Sequence, residues 1–401
     1  MDIVILANFC GDLTGGGNNR FLYLAELLAK DHAVELITSD YDHGAKAYRE
    51  EPLPERPFQV TLLHESGYPK NVCLKRFASH RVWGKNVEAY LKTREKPDVI
   101  YCAVPSLSGP LAAAEYCRNN KTRFVIDVQD LWPEAFQMVV NIPVISPLAF
   151  RPFRGMADRI YGAADAVCAV SRTYVERALS VNRKCGDGVC VYLGTKLETF
   201  DANARANAVS DKPAEELWLG YCGTLGASYD LTCVFDALAL LRERGSVPPK
   251  FIVMGDGPRR EEFERYAREK ALNVEFTGRL PYDRMCGRLR ACDIVVNPII
   301  GSSAASIINK HADYAASGLP VLNTQASPEY QALVEEYGMG FNCASGDAAD
   351  LADKLRRLME DAALRKTMGA NARRCGEERF DRKNSYQALV DAITGGTDAK
   401  E

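Results

Sequence analysis

One stretch, residues 299–322, constrains the fold of this chain most, because it predicts a strand end, a loop, a helix and the next strand in succession. The short apolar run Asp293–Asn297 before it is followed by a proline, which is typical of a buried parallel strand. The helix can be capped by Ser303 or Ser306 and should end at Gly318, with a proline soon after. A helix that starts beside the carboxyl end of a strand predicts an α/β sheet with a ligand at that edge.

Two charged residues on that helix are candidates for ligand contacts. Lys310 and Asp313 are three positions apart, so they share a helix face and are separated by about 4.5 Å along the axis. The lysine can meet a phosphate while the aspartate accepts hydrogen bonds from a sugar diol. The alternative is a surface ion pair worth a few tenths of a kcal/mol. The small-residue loop 301–306 favours the ligand interpretation, because it leaves backbone N–H groups accessible.

The segment 309–321, NKHADYAASGLPV, resembles the donor-site motif of family 4 glycosyltransferases, the retaining enzymes of the GT-B fold, in their polysaccharide and lipopolysaccharide branch. In that family the second acid of a Glu-x7-Glu motif binds the donor ribose, and Asp313 occupies its place. The first acid would fall on Ala305, so the glutamate often placed near the donor sugar is missing here. The resemblance implies two facing Rossmann-like domains, each a doubly wound parallel α/β sheet, with a C-terminal helix that crosses back to the first.

Composition is that of an ordinary soluble globular protein. The chain has 401 residues, of which 47% are hydrophobic and 26% charged, and this length predicts two domains or a little more. A formal net charge of −3 gives no general attraction to nucleic acid. We therefore expect no nucleic-acid partner, and any basic patch must be local.

The thirteen cysteines include no Cys-x-x-Cys pair, which argues against a disulfide framework and a structural zinc site. We expect most of them to be buried thiols in a reducing cytosol. The first residues enter a strand without a basic leader, and no apolar run approaches the ~20 residues of a membrane span. These features predict a cytoplasmic protein without a transmembrane segment.

The chain opens with a βαβ pattern that carries a glycine loop at its first turn. Gly15, Gly16 and Gly17 would let the backbone approach a ligand at the helix start. The loop departs from the Gly-x-Gly-x-x-Gly fingerprint of dinucleotide sites. It better resembles the GGxxR segment of GT-B enzymes, which faces their cleft. By that resemblance Gly16 and Gly17 are donor-binding, whereas Asn19 and Arg20 belong to the acceptor side.

Further strands are predicted at 59–64, 98–102, 123–128, 166–170 and 189–192, with helical stretches between most of them. The run at 128–134, VQDLWPE, closes the third of these and resembles a DLWPE segment of the same branch. Asp130 and Glu134 would then lie at a strand's carboxyl end, where they can deprotonate or orient an acceptor hydroxyl. Asp130 is thus a candidate catalytic residue and Glu134 an acceptor-side residue. The alternative makes Asp130 a helix N-cap.

Two basic segments occur in the same half of the chain. Residues 138–159 are apolar with three interspersed arginines, and they predict either an interfacial segment on anionic lipid or a mobile loop over the cleft. The second is the basic cluster Lys70, Lys75, Arg76, Arg81 and Lys85. Together they suggest an acceptor side that contacts the inner face of the plasma membrane peripherally.

A polar, pattern-free stretch at 198–216 predicts a domain boundary, after which βα alternation restarts. Three glycine loops follow; in the family the first approaches the diphosphate, the second lies across the donor cleft and the third reads the base. The usual arginine and lysine of the first loop are replaced by Thr224 and Tyr229. This leaves the diphosphate to Lys310, also a candidate catalytic residue, with Arg259 or Arg279 as its helper. The predicted donor-binding residues of this half are Gly223, Thr224, Arg259, Arg279, Leu280, Lys310 and Asp313.

The predicted domains are 1–200, an acceptor-side domain joined by the terminal helix 382–401, and 214–381, which binds the nucleotide-sugar. The resemblance implies retaining transfer from a nucleotide-diphosphate sugar, with UDP favoured, to a sugar or lipid-linked oligosaccharide in surface polysaccharide synthesis. The resemblance also implies a reaction that requires no metal or other cofactor. Two alternatives remain: a GT-B nucleotide-sugar epimerase, or a degenerate binding protein, as the substitutions at Ala305, Thr224 and Tyr229 suggest.

Overall fold

The computed structural model describes residues 1–14, 19–50, 52–71, 73–135, 150–301 and 307–396. The chain forms two compact units. The first contains residues 1–192 together with the chain from Tyr386 onward, and the second contains residues 193–385. Each unit is an α/β structure built on one parallel sheet.

The sheet of the first unit has seven parallel strands in the order β5-β2-β1-β6-β7-β8-β9. Its strands, with the short antiparallel pair β3 and β4, are β1 (Asp2–Leu6), β2 (Ala33–Ser39), β3 (Tyr41–Asp42), β4 (Ala47–Tyr48), β5 (Gln59–Leu63), β6 (Val99–Val104), β7 (Arg123–Val128), β8 (Ala166–Ala169) and β9 (Val189–Cys190). The central strands are mostly apolar because helices cover both faces of the sheet.

Before residue 193 the described helices of this unit are α1 (Arg20–Leu28), α2 (Leu74–Thr93), α3 (Ser108–Asn120), α4 (Arg151–Ala163) and α5 (Arg172–Leu179). The predicted βα alternation is therefore confirmed. The chain returns to this unit at its end, where Leu389 and Ile393 are buried in the core that contains β1 and α1. The guanidinium of Arg123 in β7 donates to the carbonyl of Ala392 at 2.9 Å, which fixes this last segment.

The sheet of the second unit has six parallel strands in the order β12-β11-β10-β13-β14-β15. They are β10 (Trp218–Cys222), β11 (Lys250–Met254), β12 (Val274–Gly278), β13 (Ile294–Asn297), β14 (Val321–Asn323) and β15 (Gly340–Asn342). The chain starts in the middle at β10, winds outward to β12, and then crosses to β13 on the other side. This reversal of winding lies between β10 and β13 and opens a crevice at their carboxyl ends.

The helices of the second unit are α6 (Leu197–Ala206), α7 (Leu231–Glu243), α8 (Arg260–Glu269), α9 (Tyr282–Arg290), α10 (Asn309–Ser317), α11 (Pro328–Tyr337), α12 (Ala348–Glu360) and α13 (Ala362–Cys375). The π-helix Gly376–Phe380 and α14 (Arg382–Ser385) complete this unit, and α15 (Gln387–Thr394) lies in the first unit. The prediction that residues 348–394 are helical is confirmed.

Two local predictions were wrong. The stretch 198–216 is not free of structure, because its first half forms α6 inside the second unit. The α10 helix begins after Ile308, so neither Ser303 nor Ser306, which lie outside the described residues, is its N-cap. The predicted C-terminus is confirmed, since Gly318 follows α10 in the left-handed conformation with φ of 67°.

Most of the cysteines are buried, as the sequence predicted. All thirteen cysteines are free thiols, and ten of them are buried, which confirms the expectation that most behave as small apolar residues. In the described parts of the chain, no helix combines the length and the apolar character that crossing a bilayer demands.

Candidate functional site

The crevice at the carboxyl ends of β10 and β13 collects the residues that the sequence singled out in the second half. Gly223 follows β10 directly, and Lys310 and Asp313 lie on α10, which follows β13. Because β10 and β13 are neighbours in the sheet, these residues converge at the reversal point of the winding. This is the position where open α/β sheets bind ligands.

Lys310 is buried in an aromatic environment that the sequence did not predict. It is 7% exposed, and its ammonium lies 3.9 Å from the ring centroid of Tyr229 and 4.3 Å from that of Tyr221. The Nζ atom has no hydrogen-bond partner among the described residues. Burial lowers the pKa of Lys310 to about 7. A buried ammonium held only by ring faces is poised to receive an anion, because its desolvation is not compensated by hydrogen bonds.

Asp313 makes its own contact instead of pairing with Lys310. Its Oδ1 accepts a hydrogen bond from the hydroxyl of Tyr282 at 2.8 Å, and that hydroxyl lies 2.9 Å from Oγ1 of Thr195. Burial raises the pKa of Asp313 to about 6, against the opposing effects of Tyr282 and Arg382. The surface ion-pair alternative is therefore wrong, since Lys310 is buried, Asp313 is half-buried, and each has different neighbours.

Glycines bring the backbone close to the lysine. Gly223 has φ of +141°, and a Cβ built there would lie 2.9 Å from the Nζ of Lys310. A Cβ on Gly255, in the next loop, would lie 1.8 Å from the carbonyl oxygen of Gly223. The two loops thus meet backbone to backbone, which only glycine permits. Main chain rather than a side chain therefore lies next to the ammonium at this point, and backbone N–H groups are common partners of bound anions.

The other predicted donor-binding residues differ in their exposure and in whether their polar groups are already hydrogen-bonded. Arg259 is engaged, because its guanidinium makes two contacts with the carboxylate of Glu262 at 2.8 and 2.5 Å. Arg279 is exposed and has no hydrogen-bond partner among the described residues, and Leu280 beside it is half-buried. Thr224 is exposed, and its carbonyl accepts from the hydroxyl of Tyr221 at 2.7 Å. Of the two proposed arginine helpers, Arg279 is the one with a free charge.

Sequence reasoning missed the aromatic and amide residues that shape this site. Tyr221 and Tyr282 carried no signal, because one is an ordinary strand residue and the other opens a helix. A buried polar group of Asn297, His311, Asn323 and Gln325 also lies at the ends of β13 and β14. The ring of His311 stacks on Tyr330 with centroids 3.4 Å apart. This group fixes the start of α10, since Nδ1 of His311 accepts from the backbone N–H of Ile308.

In the first unit, Asp130 and Glu134 follow β7 as predicted, but both are engaged. The carboxylate of Asp130 accepts from the backbone N–H of Leu131 at 2.9 Å and from the indole of Trp132 at 3.3 Å. Burial raises the pKa of Asp130. Its bonds are not those of a helix N-cap, so that alternative is wrong. Glu134 accepts from the guanidinium of Arg177 at 2.7 Å.

The acceptor-side role predicted for Arg20 needs correction. Arg20 is 4% exposed and forms a bidentate ion pair with Asp127, in which Nε and Nη2 donate to the two carboxylate oxygens at 2.9 and 3.1 Å. Its third nitrogen donates to the carbonyls of Val191 and Tyr192. Arg20 is therefore a structural residue. Asn19 caps α1 through its side-chain oxygen, and Gly16 and Gly17 lie outside the described residues.

Taken by itself, the second unit has the elements of a nucleotide site. The ammonium of Lys310, packed against two tyrosine rings, and the nearby glycine backbone can bind phosphates. The carboxylate of Asp313, three positions further along α10, can accept hydrogen bonds from a ribose. The strand order is that of dinucleotide-binding Rossmann sheets. The fold and site define a protein of two Rossmann-like units, the second of which places a buried lysine and glycine backbone at the reversal point of its sheet.

Comparison with known proteins gives the family. Residues 216–361 match "Glycosyl transferases group 1", and residues 15–185 match "Glycosyl transferase 4-like domain". The solved structure of HepE from Anabaena in complex with UDP superposes with a TM-score of 0.69 at 17% identity, covering 98% of this chain and all of that one. The protein belongs to family 4 of the glycosyltransferases and has the GT-B fold.

Sequence relatives of known name match only part of this chain. Sulfoquinovosyl transferase SQD2 of Arabidopsis thaliana is 23% identical over 319 residues, which is 74% of this chain and 58% of that protein. The lipopolysaccharide core biosynthesis glycosyltransferase LpsD of Rhizobium meliloti is 31% identical over 147 residues, or 36% of this chain and 41% of LpsD. The matched regions thus span about half the length of these relatives.

Proposed function

We propose that the protein transfers a sugar from a nucleotide-diphosphate sugar, with a UDP-sugar favoured, to a glycan or lipid-linked acceptor in surface polysaccharide synthesis, with retention at the anomeric carbon. The observation that carries this proposal is the buried ammonium of Lys310, which has no hydrogen-bond partner among the described residues and lies against glycine backbone in a crevice. The UDP bound to HepE supports the choice of nucleotide.

The chemistry follows from the placement of the charges. When the bond between sugar and diphosphate breaks, negative charge grows on the leaving diphosphate. The ammonium of Lys310 stabilises that charge, and its low-polarity surroundings strengthen the effect. Asp313 orients the nucleotide by accepting hydrogen bonds from the ribose. Asp130 stands as the proposed residue that orients or deprotonates the acceptor hydroxyl, and the raised pKa of its carboxyl group fits a proton acceptor. The proposed reaction needs no metal or other cofactor.

Donor turnover in the absence of acceptor tests the proposal. UDP-, GDP- and ADP-sugars would first be ranked by the thermal shift that each produces. The preferred donor is then incubated alone, and slow release of the nucleoside diphosphate is expected. Interconversion of the free donor would instead identify an epimerase, and binding without any turnover a degenerate binding protein. Either result overturns the proposal.

We predict that donor affinity peaks between about pH 6 and pH 7. Lys310 must be protonated to meet the diphosphate, so affinity should fall by up to about tenfold per pH unit as the pH rises above 7. Below pH 6 the carboxylate of Asp313 becomes protonated and accepts hydrogen bonds less well. Calorimetry with an intact UDP-sugar, whose diphosphate keeps its charge over this range, measures the profile.

The matched variant for this profile is Lys310→Arg. A guanidinium stays charged at every accessible pH, so the alkaline limb should flatten while the acidic limb persists. An alkaline limb of equal slope in both proteins would contradict the assignment to Lys310.

We also propose peripheral contact with anionic membranes through α4. Arg151, Arg154 and Arg159 are exposed on this helix, although Arg159 is paired with Glu115 at 2.5 Å. Residues 138–149 of the predicted segment lie outside the described residues. Each basic residue near anionic lipid contributes about 1 kcal/mol. Flotation with anionic vesicles should recover the protein at low salt, and Arg151→Gln with Arg154→Gln should reduce the bound fraction. Recovery of the double variant with the vesicles equal to that of the wild type would contradict this prediction.

A further inference from the structure

A cavity of about 550 Å³ in the first unit has no role in the function proposed so far. It lies where the chain leaves the carboxyl ends of β2 and β5, between the β3–β4 hairpin and the start of α2. Three tyrosines and two lysines line it: Tyr41, Tyr48, Tyr68, Lys46 and Lys75. This is the ligand-binding edge of a parallel sheet.

The tyrosines offer ring surface more than hydroxyl groups. The hydroxyl of Tyr41 donates to the carbonyl of Tyr68, and that of Tyr48 donates to the carbonyl of Glu65 at 3.2 Å. The ring of Tyr41 packs against the other two, with centroid distances of 5.6 Å to Tyr48 and 5.2 Å to Tyr68. Tyr48 is nevertheless 52% exposed. An exposed ring fixed at its polar end is a platform for the apolar face of a sugar.

The cations of the cavity are not neutralised by nearby carboxylates. The ammonium of Lys46 lies 4.9 Å from the ring centroid of Tyr68 and donates to neutral oxygens of His43 and Asn71. Lys75 is exposed, and no ion pair of either lysine occurs within the described ranges. The guanidinium of Arg76 lies behind them, 4.6 Å from the ring of Trp132.

The nearest acids are committed to other groups. Asp42 pairs with Arg49 at 3.1 Å and accepts from two backbone N–H groups. Glu65 is 1% exposed and accepts from the side chains of Asn8 and Ser79, each at 2.9 Å. The surroundings of the cavity are therefore positive, with aromatic walls.

We propose that this cavity binds a saccharide that carries a negative charge, such as a uronic acid or a sugar phosphate, and that this saccharide is part of the acceptor. A tyrosine platform selects the sugar ring, and the lysines select its carboxylate or phosphate. The acceptor role rests on the proposed glycosyl transfer, whereas binding of the charged sugar does not.

Ligand-observed NMR with three small probes, glucuronate, glucose and inorganic phosphate, tests the cavity. Glucuronate should bind, glucose should bind at least about tenfold more weakly, and phosphate should bind more weakly than glucuronate. Lys46→Gln combined with Lys75→Gln should weaken glucuronate binding by about tenfold, and Tyr48→Ala should weaken it several-fold. The matched control is Lys30→Gln, which changes an exposed lysine outside the cavity and outside both basic segments and should bind glucuronate as the wild type does.

Three results would overturn the inference: equal binding of glucose and glucuronate, phosphate binding as strong as glucuronate, or glucuronate binding unchanged in both cavity variants. Absence of glucuronate binding would overturn it as well. Donor hydrolysis by the wild-type protein is scored separately, so a failure of the proposed transferase activity is distinguishable from a failure of this site.

Discussion

Replacement of Lys310 by alanine is expected to lower turnover far more than it weakens donor binding. The ammonium meets a diphosphate whose charge increases as the sugar leaves, so its effect is larger in the transition state than in the ground state. A pair of unit charges about 4 Å apart is worth of order 4 kcal/mol at an effective dielectric of roughly 20. This energy corresponds to a decrease in turnover of at most about a thousandfold.

The surroundings of Lys310 favour a large effect. Thr224 and Tyr229 carry no charge, and Arg259 is occupied by Glu262, so little within the described crevice can compensate besides Arg279. Steady-state kinetics of Lys310→Ala and Lys310→Arg separate charge from shape, and the arginine variant should keep part of the turnover. Near wild-type turnover in both variants would remove Lys310 from the catalytic machinery.

Stability provides the control for that experiment. The buried ammonium lacks a hydrogen-bond partner among the described residues, and such a group costs roughly 1–3 kcal/mol. Lys310→Met keeps the length of the side chain without its charge. The melting temperature of this variant without ligand should therefore be no lower than that of the wild type. A loss of turnover in this variant is then not caused by a loss of folded protein.

The sequence predicted local structure well wherever one segment carried its own signal. The strand at Arg123–Val128 and the end of α10 at Gly318 are confirmed, because a buried parallel strand and a glycine C-cap are local patterns. The burial of Lys310 was not predictable. It depends on Tyr221 and Tyr229, which reach it from another strand and loop, and spacing along α10 alone suggested an exposed ion pair.

The same limit explains the mistake at Arg20. Its position after a glycine loop suggested a ligand contact, yet its partner Asp127 lies 107 residues away. Sequence spacing gives no information about this contact. Arg20 on α1 and Asp127 on β7 come together only through the strand order of the complete sheet. By contrast, Asp313 follows from the motif itself, and its contact with Tyr282 adds an orientation that the motif does not encode.

Arg20→Ala is expected to destabilise the first unit by about 3–5 kcal/mol, because it leaves the carboxylate of Asp127, which is 0% exposed, buried without its ion-pair partner. The change also removes donors from the carbonyls of Val191 and Tyr192 and from the contact with Tyr386, all in the same unit. Chemical unfolding followed by circular dichroism measures the loss. The matched control is Arg159→Ala, which breaks an exposed pair with Glu115 and should cost less than about 1 kcal/mol.

A double variant distinguishes a buried ion pair from a ligand contact at Arg20. If the cost of Arg20→Ala comes from the isolated charge of Asp127, then Arg20→Met combined with Asp127→Leu should recover part of the lost stability, since apolar residues of similar volume can replace a buried pair. The recovery should be incomplete, because the carbonyls of Val191 and Tyr192 still lack their donor. An Arg20→Ala protein with wild-type stability but impaired use of acceptor would contradict the structural role and restore the acceptor-side interpretation.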